Sequence, residues 1–322
     1  MKFAGRSGRW KLRSRVAILG ITAAVTVCGG CRRSEQLSEV MGPKKFVSPT
    51  SAGQAVYDAA KAGDTNAILA IFGPDGKEYL VSENPEENKN ALQEFASDFE
   101  QMHRWSQAEG GELVLNVGVE NYPFPFPLVK TSDNQWMFDA ERGKKEIAAR
   151  KIGDNELTVI DILNEMADAQ VEYYKTTHDD SKVKQYAQRF TSNEGQHNGL
   201  YWKVNEGEEE SPLGPMAARA SAEGYQPGTK ESPQPFHGYF FRILKEQGAH
   251  ADGGAKSYIV NGNMTKGFAF LAYPAEYRKS GVMTLMIGQD GRVYQKDLGP
   301  DTVETAKGIT VFDPDDSWTL VE

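Results

Sequence analysis

Residues 267–299, GFAFLAYPAEYRKSGVMTLMIGQDGRVYQKDLG, constrain the fold of this chain more than any other stretch. Positions 268–273 are apolar at odd and even sites alike, which predicts a strand covered on both faces. Positions 281–287 repeat the pattern through Val282, Met283, Leu285, Met286 and Ile287. Asp290-Gly291 then predicts a two-residue hairpin turn, a geometry that needs positive φ at both central residues. Positions 292–296 alternate polar and apolar, so they are expected to be half exposed near a sheet edge.

The N-terminus is a different kind of sequence. Lys2, Arg6, Arg9, Lys11, Arg13 and Arg15 precede the apolar run 16–27, with no acid among them, and Cys28-Gly29-Gly30-Cys31 follows. That is the layout of a bacterial secretory signal over residues 1–30, and the run is shorter than the roughly 20 residues of a spanning helix. Gly29 and Gly30 before Cys31 resemble a lipobox, with Cys28 where an aliphatic residue is usual. The resemblance implies lipidation at Cys31; ordinary signal cleavage leaving a free cysteine is the alternative. Arg32 after that cysteine is not the aspartate of inner-membrane retention, which points to the outer membrane in a two-membrane cell. Both cysteines lie here, so the mature chain has no internal disulfide. Losing the six cations takes the formal net charge from −9 to −15, and so acidic a chain is not expected to bind nucleic acid.

Along the mature chain, residues 31–46 read as a tether and 47–150 as a first α+β domain. Ser48-Pro49 starts a helix that Gly63 ends, and Asp64 caps a second carrying Ile68, Ile71 and Phe72. A third is expected over 88–104, then strands at 112–119, 126–130 and 135–139. Pro123, Pro125 and Pro127 cannot donate ladder hydrogen bonds. Their segment reads as a stiff connection with Phe124 and Phe126 in the core, or else as an aromatic platform for a partner. Residues 151–322 read as a second α+β domain. A charged helix over 141–150 leads to the longest helical pattern, 154–174, with Leu157, Ile160, Leu163, Ala167, Val171 and Tyr174 on one stripe, widened by Val159, Ile162 and Met166. This helix is expected to link the halves. A short helix at 183–190, a loop-rich stretch 191–236 and strands at 236–246 and 256–261 complete the pattern, with Trp318 packed near the end.

Three resemblances follow from particular residues. VYDAAKAGDTNAILAIFGPDG and PLVKTSDNQWMFDAERG resemble the nuclear-transport-factor-2-like cone fold, which implies helices packed on a curved antiparallel sheet. Residues 154–322 are similar to pilin and pseudopilin globular domains, which implies a long helix, an irregular loop and an antiparallel sheet. Pilins begin with a long apolar helix after a prepilin peptidase site, whereas this chain has a short signal ending at Cys31. Across residues 46–321, KAGDTNAILAIFGPDG, YPFPFPLVK, ELTVIDILNEMADAQVEYY, HGYFFRIL and the 267–299 stretch are similar to the bacterial domain-of-unknown-function 2950 family. That resemblance implies no particular activity, substrate or catalytic residue.

The chemistry-bearing residues are sparse. Among His103, His178, His197, His237 and His250 no two are four apart, and no cysteine remains, so neither a metal nor another cofactor is expected. His178-Asp179-Asp180 reads as a solvated helix terminus rather than a cation loop, lacking the EF-hand pattern. His237, and His250 with Asp252 in a Gly-rich turn, would make an acid–base pair if the fold joined them. Ser280-Gly281 is not a nucleophile elbow. Tyr273, Glu276, Tyr277 and Arg278 either line a binding groove where the halves meet or form a Pro274-initiated turn with a Glu276–Arg278 surface pair. The reading is a non-enzymatic, exported binding or assembly factor of the cell envelope. Its partners would be the membrane through a lipid anchor and an unidentified envelope protein or small ligand. The rivals are a hydrolase-like enzyme using a His/acid pair and a filament-associated structural subunit.

Overall fold

The computed structural model describes residues 42–76, 80, 84–108, 110–204, 207, 210–226 and 233–321, the side chains of Asp75 and Glu87 excepted. The expectations for the signal, for Cys31 and for most of the tether lie outside the described residues. The fold is α+β, and the chain divides into two compact units, Met1–Ile147 and Ala148–Glu322.

In the first unit, α1 (Pro49–Ala62) begins with Ser48 Oγ accepting the Ser51 N–H at 3.2 Å and ends at Gly63, whose φ is 65°. Asp64 caps α2 (Thr65–Phe72) by accepting the Ala67 N–H at 2.9 Å. The third helix, α3 (Pro85–Gln101), is offset from the predicted 88–104. Met102 turns extended, and residues 103–107 join a sheet instead. There β1 (His103–Gln107) pairs with β2 (Leu113–Val117) along its whole length, so strand pairing outweighs the local helical pattern. The sheet continues through β3 (Tyr122–Pro123), β4 (Leu128–Lys130) and β5 (Trp136–Phe138), in the order β1-β2-β4-β5 with β3 on β2. Its strands are antiparallel.

Phenylalanines fill the space between these helices and this sheet. Phe72 meets Phe126 at 4.8 Å, Phe138 at 4.9 Å and Phe124 at 5.8 Å between ring centroids. Phe124 and Phe126 are buried, so the proline-rich segment is a stiff connection that delivers two rings to the core. Burying each ring contributes about 1.5–3 kcal/mol. The packing is close enough that a Cβ on Gly143 would lie 2.1 Å from Phe126 Cδ1.

One helix, α4 (Ala140–Tyr173), replaces the two predicted over 141–150 and 154–174, and the unit boundary falls inside it. Ala, Glu, Lys and Arg dominate the join, and the single Gly153 costs only about 1 kcal/mol of helix propensity. Within the second unit its buried residues are Val159, Ile162, Leu163, Met166, Ala167, Ala169, Gln170 and Tyr173. The expected stripe was rotated, since Leu157 is 65% and Val171 48% exposed.

The second unit continues with α5 (Gly214–Ala222), β6 (Tyr239–Leu244), β7 (Glu246–Gln247), β8 (Lys256–Ser257), β9 (Ile259–Val260) and β10 (Asn263–Met264). Then come β11 (Ala269–Pro274), β12 (Met283–Gly288), β13 (Val293–Asp297), α6 (Thr302–Gly308) and β14 (Thr319–Leu320). The main sheet runs β14-β13-β12-β11-β6 and is antiparallel throughout. All six residues of β11 are buried, as the continuous apolar run predicts. Residues 256–261 are not one strand: β8 pairs with β7, and β9 with β10. The helices α5 and α6 lie where no helix is predicted. Trp318 is half-buried against the core.

Two turns exchange roles. At Asp290-Gly291 only Gly291 has positive φ (73°), because the loop spans the residues between the Ile287–Val293 pair and closes with Gly291 N–H on Gly288 C=O at 3.1 Å. Positive φ at both central residues occurs instead at His237 (47°) and Gly238 (77°), where Phe236 and Tyr239 exchange hydrogen bonds of 2.9 and 3.0 Å.

Polar side chains fasten the irregular parts. Gln170, fully buried, accepts the Ala187 N–H and donates to its C=O, both at 2.8 Å. Tyr186 N–H donates to Met264 C=O at 2.8 Å. These long-range bonds hold residues 183–190 irregular, where a short helix is predicted. Glu156 accepts the Val282 and Met283 N–H groups at 2.8 and 2.9 Å. Arg242 donates to the carbonyls of Ala306, Lys307 and Ile309 at the end of α6. Among the described residues, no helix is long and apolar enough to cross a membrane.

Candidate functional site

The fold gives the three candidate acid–base residues different partners. His237, in its left-handed turn, lies 3.2 Å from Glu223 through Nε2, with Phe236 against its ring at 4.3 Å. A Cβ on Gly238 would come within 2.7 Å of Ser280 Cβ, so a hydroxyl-bearing residue packs against this turn. The Ser280 hydroxyl, however, accepts the Glu276 N–H at 3.0 Å and donates to Glu276 C=O at 3.2 Å. It is committed to shaping a turn and is not poised as a nucleophile.

His250 does not pair with Asp252. Its Nδ1 sits 3.1 Å from Asp313, and its backbone N–H donates to the same carboxylate at 2.8 Å. The hydrogen bond to Asp313 and then that residue's charge raise the His250 pKa, with Asp315 and Asp316 adding. Asp252 is bound by Arg292, which also holds Asp290. Sequence proximity misleads here because the Gly-rich turn points His250 at a residue 63 positions away.

The groove candidates separate similarly. Tyr273 is a buried strand residue of β11, 5.6 Å from Phe240 and 5.8 Å from the Arg242 guanidinium. Glu276, Tyr277 and Arg278 belong to the connection that follows. Glu276 pairs with Lys279 at 2.7 Å, not with Arg278. Tyr277 donates to Asp297 at 3.1 Å, and Arg278 (φ 59°) lies over the Tyr277 ring. This is a braced turn, entered through Pro274.

A concave site forms elsewhere, at the C-terminal end of α4. Tyr173, 3% exposed, donates its hydroxyl to His197 C=O at 2.7 Å. The chain then folds back so that the His178 ring stacks on Tyr173 at 3.8 Å. His178 Nε2 is 2.8 Å from Tyr173 C=O, where its N–H satisfies a carbonyl left open by the helix end. Asp179, at φ 51°, accepts the His197 N–H with both oxygens, at 2.9 and 3.1 Å. Trp202 closes the group, 5.9 Å from His178 and 4.6 Å from His197. Burial pushes the Tyr173 phenol up to about 12, with the Asp179 charge adding, so the phenol stays protonated and keeps donating.

These rings border a recess of about 180 Å³ lined also by Glu172, Lys175, Thr176, Glu210 and Pro212. Glu210 reaches it across the start of α5. A Cβ on Gly214 would sit 2.9 Å from Glu210 Cγ, so glycine there leaves room for the glutamate. A second, larger recess of about 230 Å³ is lined mainly by polar groups, including Gln185, Gln188, Arg189 and Asn198. The smaller one is the stronger candidate because rings and charged groups converge in it. The sequence carried no local signal for it beyond His178-Asp179, which is braced against Tyr173 and His197 rather than merely solvated. Among the described residues, no group of three or more His, Cys, Asp or Glu is placed to hold a metal ion.

Fold and site together define an α+β protein with a small aromatic and acidic recess in its second unit. The chain belongs to the family described as Protein of unknown function (DUF2950), whose model matches residues 43–321. No curated protein matches it. No solved structure does either, so the cone-like and pilin-like resemblances gain no support from that comparison.

Proposed function

We infer that this protein is an exported, lipid-anchored envelope protein that acts as a non-enzymatic binding or assembly factor. The recess bordered by Tyr173, His178 and Trp202 is the observation that carries the binding role. It gathers recognition groups, whereas the Ser280 hydroxyl beside the His237 turn is taken up by the Glu276 backbone and the His250 imidazole is held by Asp313. The address rests on the basic segment, the apolar run and Cys31, with Arg32 favouring the outer membrane where two membranes exist. A lipid at Cys31 would keep the folded units at the membrane surface.

The test is fractionation of cells making the native chain or Cys31→Ala, with mass spectrometry of the mature N-terminus. The expected result is membrane-bound native protein beginning at an acylated Cys31, and loss of membrane association in the variant. Intact, uncleaved chain in the cytosol would overturn the export reading. A hydrolytic activity of the purified protein that disappears in His237→Ala or His250→Ala would overturn the non-enzymatic one.

A further inference from the structure

We propose that the recess at the end of α4 binds an organic ammonium head group. This rests on the binding role inferred above and specifies its ligand. Tyr173, His178 and Trp202 supply aromatic groups, and Glu172 and Glu210 supply carboxylates. Neither carboxylate makes a side-chain hydrogen bond or ion pair among the described residues. Lys175 is the one cationic side chain among the lining residues, so acids outnumber it two to one.

The helix adds to the same polarity. The C-terminal end of an α-helix carries partial negative charge on its last carbonyls, and a cation nearby complements it. The last turn of α4 itself contains no basic residue, His178 satisfies the Tyr173 carbonyl, and Lys175, two residues past the helix, is the one cation of the lining near that end. Size agrees as well. About 180 Å³ is comparable to a cavity of roughly 150 Å³ that takes one benzene-sized molecule, which is room for a methylated ammonium. Aromatic rings and carboxylates around a desolvated ammonium are the groups that recognise such a head. An anion would meet Glu172, Glu210 and the negative helix end. A neutral apolar group of the same shape would leave the carboxylates without a counter-charge.

The experiment follows the indole N–H resonance of Trp202 in the full chain purified from membranes in detergent, assigned with Trp202→Phe. The probes are choline, its neutral isostere with a tert-butyl group for the trimethylammonium, and glucose, all at matched ionic strength. The expected result is a saturable shift with choline and none with the isostere. Glu172→Gln combined with Glu210→Gln should weaken choline binding by about tenfold or more, the effect of losing a charged contact. Circular dichroism matching the parent would show that this variant is folded. An equal shift with the isostere, equal affinity in the double variant, or a response to glucose alone would overturn the ammonium assignment while leaving a binding site. No saturable response to any probe would overturn the binding role of the recess as well.

Discussion

Seven phenylalanines, Phe46, Phe72, Phe95, Phe99, Phe124, Phe126 and Phe138, are the aromatic residues of the first unit's buried core, alongside aliphatic ones, whereas the second unit spends much of its length outside regular structure. Between Tyr173 and Tyr239 the second unit's only α-helix among the described residues is α5. There the chain is fastened by single polar side chains, such as Gln170 on Ala187 and Asp179 on His197. The difference teaches where specificity comes from. Rings packed between helices and sheet need only shape, because the secondary structure around them already pairs its backbone. An irregular segment must find a partner for every buried N–H and C=O, and each such clamp is one residue deep.

The comparison can be broken most directly in the aromatic core. Phe126→Ala should destabilise the protein by about 3–5 kcal/mol, the range for losing a buried aromatic ring and leaving a cavity. Urea unfolding measures this, and a loss below about 1 kcal/mol would mean the rings do not hold the unit. Gln170→Leu comes next. It keeps the bulk but strands the N–H and C=O of Ala187, at about 1–3 kcal/mol for each buried group left unpaired. Faster amide exchange should be confined to residues near 183–190; uniform destabilisation without local exchange would show that Gln170 acts only by packing.

The smallest effect sharpens the contrast at the surface. The His250 pKa is raised in the folded state, chiefly by its hydrogen bond to Asp313. Its stabilising contribution is therefore complete below the unfolded value of about 6.5 and is lost as pH rises through the folded pKa. In Asp313→Asn, NMR titration should return His250 toward its ordinary value, and the pH dependence of stability in that window should shrink. An unchanged titration would remove Asp313 as the cause. The pair is exposed, so added salt should weaken it in the parent.

Several elements were legible because their cause is local. The caps at Ser48 and Asp64, the helix end at Gly63 and the buried strand over residues 269–274 follow from neighbouring residues and short-period apolarity. The candidate site was much less legible. Tyr173, His178, His197 and Trp202 are spread over thirty positions, and nothing periodic joins them. His250 found Asp313 rather than the nearby Asp252 for a similar reason: the turn residues set its direction, and the partner arrived from a distant strand connection.

The sequence by itself determined the α+β class, the family and most of the strands in the main sheet. Those properties depend on local period, composition and motif. Tertiary structure alone decided that α4 is continuous, which of its faces is buried, that residues 183–190 stay irregular, and that a recess forms where α4 ends. Each of these turns on hydrogen bonds and ring contacts between residues far apart in the chain, whose pairing is settled only when the backbone has closed around them.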